Sequence, residues 1–177
     1  MNKRLPKIIL LLLLLGVGIY LVYFFNSDDG KPSGPAPGHS IEPTFEKEGE
    51  LAFLDARQQD TLQPIDIEIA EDRNEIQYGM MYRKSMDPQT GMLFIMEKQQ
   101  RQSFYMKNTY IPLDIIYIND SLRIVSIQEN AAPLQEKSLP SKEPALYVLE
   151  VTGGFCERHG IKAGDYVKWR RIPRSKP

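Results

Sequence analysis

Two carboxylates stand in segments that otherwise supply only apolar side chains. Asp114 lies in Leu113-Asp-Ile-Ile-Tyr-Ile118, where it shares one strand face with Ile116 and Ile118 while Leu113, Ile115 and Tyr117 fill the other. Glu150 repeats the arrangement in Ala145-Leu-Tyr-Val-Leu-Glu-Val151, beside Leu146 and Val148. A strand that is apolar on both faces is a buried strand, so each carboxylate is carried into the core or its rim and needs a donor or a proton. Arg83, Lys107, Asn108 and Thr109 are the polar residues available to face them, and Arg83 can grip a carboxylate with two parallel hydrogen bonds. One reading is a polar ligand pocket built from Arg83, Lys107, Asn108, Thr109, Asp114 and Glu150. The other is structural: both carboxylates accept loop amides or Arg83 and hold the fold together. The structural reading is the expectation, with Asp114 paired to Arg83.

Other chemistries find less support. A pair of carboxylates flanking a sugar cleft would make a small hydrolase of Asp114 and Glu150, but the spacing this needs, about 5–9.5 Å, is not a property of sequence. Six of the seven methionines fall between Met80 and Met106. They are scattered over several elements without a Met-x-x-Met repeat, which reads as core filling and not a Cu(I) site. Cys156 and His159 are three apart and would face each other on a helical turn, yet His159 is the only histidine after the linker. A lone thiol beside a surface histidine is the simpler description. There is no Gly-x-Ser-x-Gly elbow. No catalytic residue, metal or cofactor is expected.

The elements that must position these residues read as short strands. Leu51–Leu54 and Pro64–Ile69 come first, the second alternating Ile65, Ile67, Ile69 against polar neighbours. Asp72-Arg-Asn-Glu75 is a capping box that starts a short helix running on through Ile76–Arg83, with Gly79 inside it marking the close approach of another backbone. Met92–Met96, Ser103–Met106, Leu113–Ile118 and Leu122–Ile127 follow, the last two as a hairpin. Ala131–Pro144 reads as a loop, Ala145–Val151 as a buried strand, Phe155–His159 as at most a short helix, and Tyr166–Trp169 as a final strand. The expected class is mainly β (α+β): a strongly curved sheet or small barrel with one or two short helices.

Upstream, Ile8–Phe25 is an uncharged run of 18 residues, preceded by Lys3, Arg4 and Lys7 and followed by Asp28 and Asp29. As a helix it would be roughly 27 Å long, close to the bilayer core, with the N-terminus on the cytoplasmic side. A cleaved signal peptide is the rival, opposed by the length of the run and by bulky Tyr23-Phe24-Phe25 where small residues would flank a cleavage site. The chain therefore divides into a cytoplasmic N-terminus (1–7), a transmembrane anchor (8–25), a Pro/Gly-rich linker (26–43), an extracytoplasmic β-rich domain (44–171) and a basic tail (172–177). After Pro43 there are 18 basic and 20 acidic residues, so no nucleic-acid partner is expected. The expected partners are the membrane, through the N-terminal helix, and an unidentified small molecule, carbohydrate or protein.

Gly79-Met-Met-Tyr-Arg83, Gly91-Met-Leu-Phe94, Tyr105-Met-Lys-Asn-Thr109 with Pro112-Leu-Asp114, Leu149-Glu150 with Gly153-Gly154, and Gly160 with Gly164-Asp165 together resemble the domain-of-unknown-function 192 family. The likeness spans roughly residues 50 to 170. Tyr105 departs from it, standing where the family usually carries Trp. The resemblance implies a compact β-rich domain, often behind a signal or anchor segment, with no agreed activity or ligand. Taken together, the expected function is a membrane-anchored extracytoplasmic binding or accessory module without catalysis. The alternative is the small hydrolase.

Overall fold

The computed structural model describes residues 43–173. Its strands are β1 (Gly49–Leu54), β2 (Thr61–Ala70), β3 (Thr90–Gln100), β4 (Ser103–Phe104), β5 (Leu113–Ile118), β6 (Ile124–Ala131), β7 (Leu139–Pro140), β8 (Ala145–Thr152) and β9 (Tyr166–Arg171). Two short helices, α1 (Arg73–Tyr78) and α2 (Phe155–His159), complete it. Seven strands form one mixed sheet in the order β6-β5-β8-β3-β2-β1-β9, while β4 and β7 pair separately. Among these pairs only β2 and β3 run parallel, a pairing that the helix-bearing crossover between them makes possible.

The sheet is not a closed barrel. Its outer strands meet only at a single bridge, Arg123 to Tyr166, with a few flanking backbone bonds such as Val167 N to Leu122 O at 2.9 Å. Two further expectations are corrected. The first helix ends at Tyr78, not Arg83, because Gly79 adopts φ 46°, ψ −127° and its N–H closes on the Glu75 carbonyl. A Cβ at Gly79 would lie 2.9 Å from Phe94 Cζ, so what approaches there is a side chain and not a backbone. The 131–144 loop also contains β7, whose Leu139 pairs with Phe104. The capping box is formed: Asp72 accepts from the Asn74 and Glu75 amides, and Glu75 accepts from the Asp72 amide.

Both faces of the central strands are covered, which explains their continuous apolar character. On β5, Ile116 and Ile118 join Phe53, Ile67, Leu149, Val151 and the α2 residues Phe155 and Cys156 in one core. Leu113, Ile115 and Tyr117 join Met80, Met92, Phe94, Met106 and Val148 in a second, covered by the α1 segment and by Phe104 and Leu139. Met86 and Met96 pack against this second core, so five of the six clustered methionines fill space there. The last strand runs two residues past the expected end at Trp169, and its Arg170 and Arg171 pair with Glu50 and Glu71. The anchor at 8–25 and nearly all of the linker lie outside the described residues. Among the described residues no helix is long and apolar enough to cross a membrane.

Candidate functional site

Asp114 is fully buried on the α2 side of the sheet. The β5–β6 register shifts opposite it, and this irregularity turns the Asn130 amide onto Oδ1 at 2.7 Å. β8 runs antiparallel to β5, so its C-terminal end and α2 arrive at the same place. There the Gly154 amide donates to Oδ1 at 3.0 Å and the Cys156 amide to Oδ2 at 2.8 Å. Gly153 is required in this turn: a Cβ would sit 2.6 Å from Asn130 Oδ1. Asp114 is thus a junction that ties β5, β6 and α2 together. Cys156 is buried against it, and burial first, then the Asp114 charge, push its thiol well above the usual range. His159 packs its ring at a tilt against Phe155, with centroids 4.5 Å apart.

Arg83 does not pair with Asp114. Its guanidinium grips Glu68 through Nη1 to Oε2 at 2.8 Å and Nη2 to Oε1 at 3.0 Å, both residues being buried. The Glu46 amide adds a third bond to Glu68 Oε1. Tyr82, at φ 66°, reverses the chain just before Arg83 and is pinned by its N–H to the Asn108 carbonyl at 2.9 Å. Sequence reading missed Glu68, because the alternation of β2 makes Asp66 and Glu68 look like the wet face of an amphipathic strand. The signal that it is covered lies in the crossover that follows, which brings Arg83 back over the sheet.

Glu150 sits on the opposite face from Asp114. Its cross-strand neighbours are Met92 on β3 and Ile115 on β5, and Met92 pairs on its other side with Glu68. Glu68, Met92 and Glu150 therefore form a row across three strands, with the two outer backbones roughly 9–10 Å apart. Unlike Asp114, Glu150 has neither a hydrogen bond nor an ion pair among the described residues, although it is only 5% exposed. Burial pushes its carboxyl up to about 8, and the Arg83 guanidinium offsets this only in part. Tyr117, which donates to the Leu139 carbonyl, is itself raised by burial and by the Glu150 charge.

The Glu150 carboxyl opens into a pocket of about 220 Å³. Its walls are Gly79, Met80, Phe94 and Phe104, with Tyr78 and Tyr105 at the exposed rim. A Cβ on Gly79 would be 3.8 Å from Glu150 Oε2, so the bare glycine backbone borders the carboxyl. Of the six expected pocket residues, Glu150 and Thr109 line this cavity. Arg83 reaches it only through its charge. Lys107 is exposed, Asn108 donates from Nδ2 to Tyr82 Oη at 2.8 Å, and Asp114 lies across the sheet. The two carboxylates proposed for hydrolysis thus share no cleft. Nor does any group of three or more His, Cys, Asp or Glu among the described residues stand where it could hold a metal.

Comparison with known proteins places this arrangement among relatives. The model of the DUF192 family, "Uncharacterized ACR", matches residues 54–169. A protein from Sinorhizobium meliloti 1021, provisionally described as a transcription regulator, is 34% identical with a TM-score of 0.66, over 72% of this chain and 98% of its own. A protein of unknown function from Novosphingobium aromaticivorans DSM 12444 is 33% identical with a TM-score of 0.65, over 76% of this chain and 94% of its own. None of the curated proteins compared with the chain matches it.

Proposed function

The chain belongs to the DUF192 family, and from that premise we propose that it is a non-catalytic binding or accessory module, held at the membrane by residues 8–25 with its β-rich domain on the extracytoplasmic side. The observation that carries the binding role is Glu150: a buried carboxyl with neither hydrogen bond nor ion pair among the described residues, facing a largely apolar cavity. Folding gains nothing by desolvating such a group, whereas a ligand that supplies its missing partner does. Exposed Tyr78, Tyr82, Tyr105, Tyr110 and Leu134 surround the same region, the 105–110 segment being bonded to both the Tyr82 and Leu134 backbones. Such a concentration of exposed apolar side chains is typical of interaction surfaces. The charge asymmetry about the apolar run supports the orientation.

The regulatory description of the Sinorhizobium protein is not carried over, since 18 basic against 20 acidic residues after Pro43 offer DNA no electrostatic footing. Two measurements test the proposal. Protease added to spheroplasts should degrade the domain; a protected domain, or a mature chain beginning near Asn26, overturns the topology. A small-fragment screen by NMR should shift resonances around Gly79, Tyr105 and Glu150. Fragments that bind only elsewhere overturn the pocket.

A further inference from the structure

We propose that the ligand of this pocket is a small organic ammonium, whose charged nitrogen pairs with Glu150 while its apolar part lies among Phe94, Phe104, Tyr78 and Tyr105. The inference rests on the pocket reading above and adds the chemical class. Three observations lead to it. Glu150 is the one acidic residue among the described residues of the lining, which include no Lys, Arg or His. The nearby Arg83 guanidinium is held by Glu68 in a two-bond pair, so it does not satisfy Glu150 and its charge offsets the burial of that carboxyl only in part. Four of the lining residues are aromatic, and aromatic faces attract ammonium groups most strongly where water is excluded. An anion finds no donor of matching charge in the lining. A cavity of about 220 Å³ is below the usual range for drug-sized ligands, which restricts the occupant to a few heavy atoms.

Binding must ionise Glu150. The groups that face it and bear on its charge are Arg83, from the segment after α1, and Tyr117, from β5. Tyr78 and Tyr105 add neutral phenols at the rim. Because the empty site holds a proton on Glu150 at neutral pH, an ammonium has to displace it: the carboxyl O–H breaks, the proton leaves to buffer, and the carboxylate takes the N–H of the ligand instead. Affinity therefore rises with pH and levels off once Glu150 is ionised without help.

The test is calorimetric titration of the full-length chain in detergent with n-propylammonium, and with 1-propanol as its neutral counterpart of matching size. Propylammonium should bind at least tenfold more tightly than propanol at pH 8.5. Its affinity should increase about tenfold per pH unit from pH 6 to 7.5, with close to one proton released per ligand at pH 7 in buffers of differing ionisation enthalpy. Glu150→Gln, which keeps the shape of the protonated carboxyl, should remove the preference for the amine and the proton release while leaving propanol binding in place. If propanol and propylammonium bind alike in the wild type without proton release, the ammonium assignment fails and the pocket survives. If neither binds, both fail. If Glu150→Gln retains the amine preference, the cation is held elsewhere and the proposal is overturned.

Discussion

Asp114 and Glu150 occupy neighbouring strands one register step apart, each embedded in an apolar run, yet they have opposite fates. Asp114 accepts three backbone amides from β6 and α2. Glu150, with Met92 and Ile115 beside it, accepts none. The difference is made by which chain ends converge on each face. Amides become available where a ladder is broken, as at the β6 irregularity and the Gly153-Gly154 turn; at Glu150 the ladders to β3 and β5 are unbroken and hold the neighbouring amides. A buried carboxylate beside broken ladders becomes scaffold. One beside intact ladders finds no amide to bond.

The contrast can be broken most directly at the scaffold end. Asp114→Ala leaves three amides without their acceptor and should cost roughly 4–5 kcal/mol in denaturant melts. A loss below about 1 kcal/mol would place Asp114 with Glu150 as a dispensable, site-like group. Glu150 should behave in the opposite sense. Its folded-state value of about 8 lies above the usual 4.5, so the folded protein binds a proton more tightly than the unfolded chain and this stabilisation fades as pH rises from about 5 to about 8. Stability should fall by on the order of 3–4 kcal/mol over that window. In Glu150→Gln this decline should disappear, making the variant the more stable protein at pH 9. A wild-type profile that is flat from pH 5 to 9 would show Glu150 to be satisfied after all.

Arg83→Met strands Glu68 in the covered face and should cost on the order of 3 kcal/mol. Gly79→Ala forces a Cβ against Phe94 at a positive φ and should cost about 2 kcal/mol, narrowing the pocket without touching the Asp114 junction. The smallest expected effect is the coupling of Asp114→Ala with Arg83→Met. Since Arg83 holds Glu68, the two losses should add to within about 0.5 kcal/mol in a double-mutant cycle. Strong coupling would restore the Asp114–Arg83 pair that the geometry excludes.

Much of the scaffold was legible along the chain. Period-two alternation marks Ile65, Ile67 and Ile69 on β2. The doubly apolar runs at Leu113–Ile118 and Ala145–Val151 mark the buried centre of the sheet, and Asp72 with Glu75 marks the start of α1. The site was legible only in part. Glu150 is conspicuous because it interrupts an apolar run. Glu68 and the rim residues Tyr78 and Tyr105 are not, because each belongs to a segment that reads as ordinary surface until a distant element covers or borders it.

The sequence by itself determined roughly where most strands lie, that Leu113–Ile118 and Ala145–Val151 are buried on both sides, and that Asp114 and Glu150 must be desolvated, because these depend on side-chain periodicity within a few residues. Only the tertiary structure decided which carboxylate is satisfied, whom Arg83 grips and whether the sheet closes. The three donors of Asp114 come from 16, 40 and 42 residues away, and the Arg83–Glu68 pair spans 15. Partners at such separations are brought together by strand order and register, which no local pattern encodes.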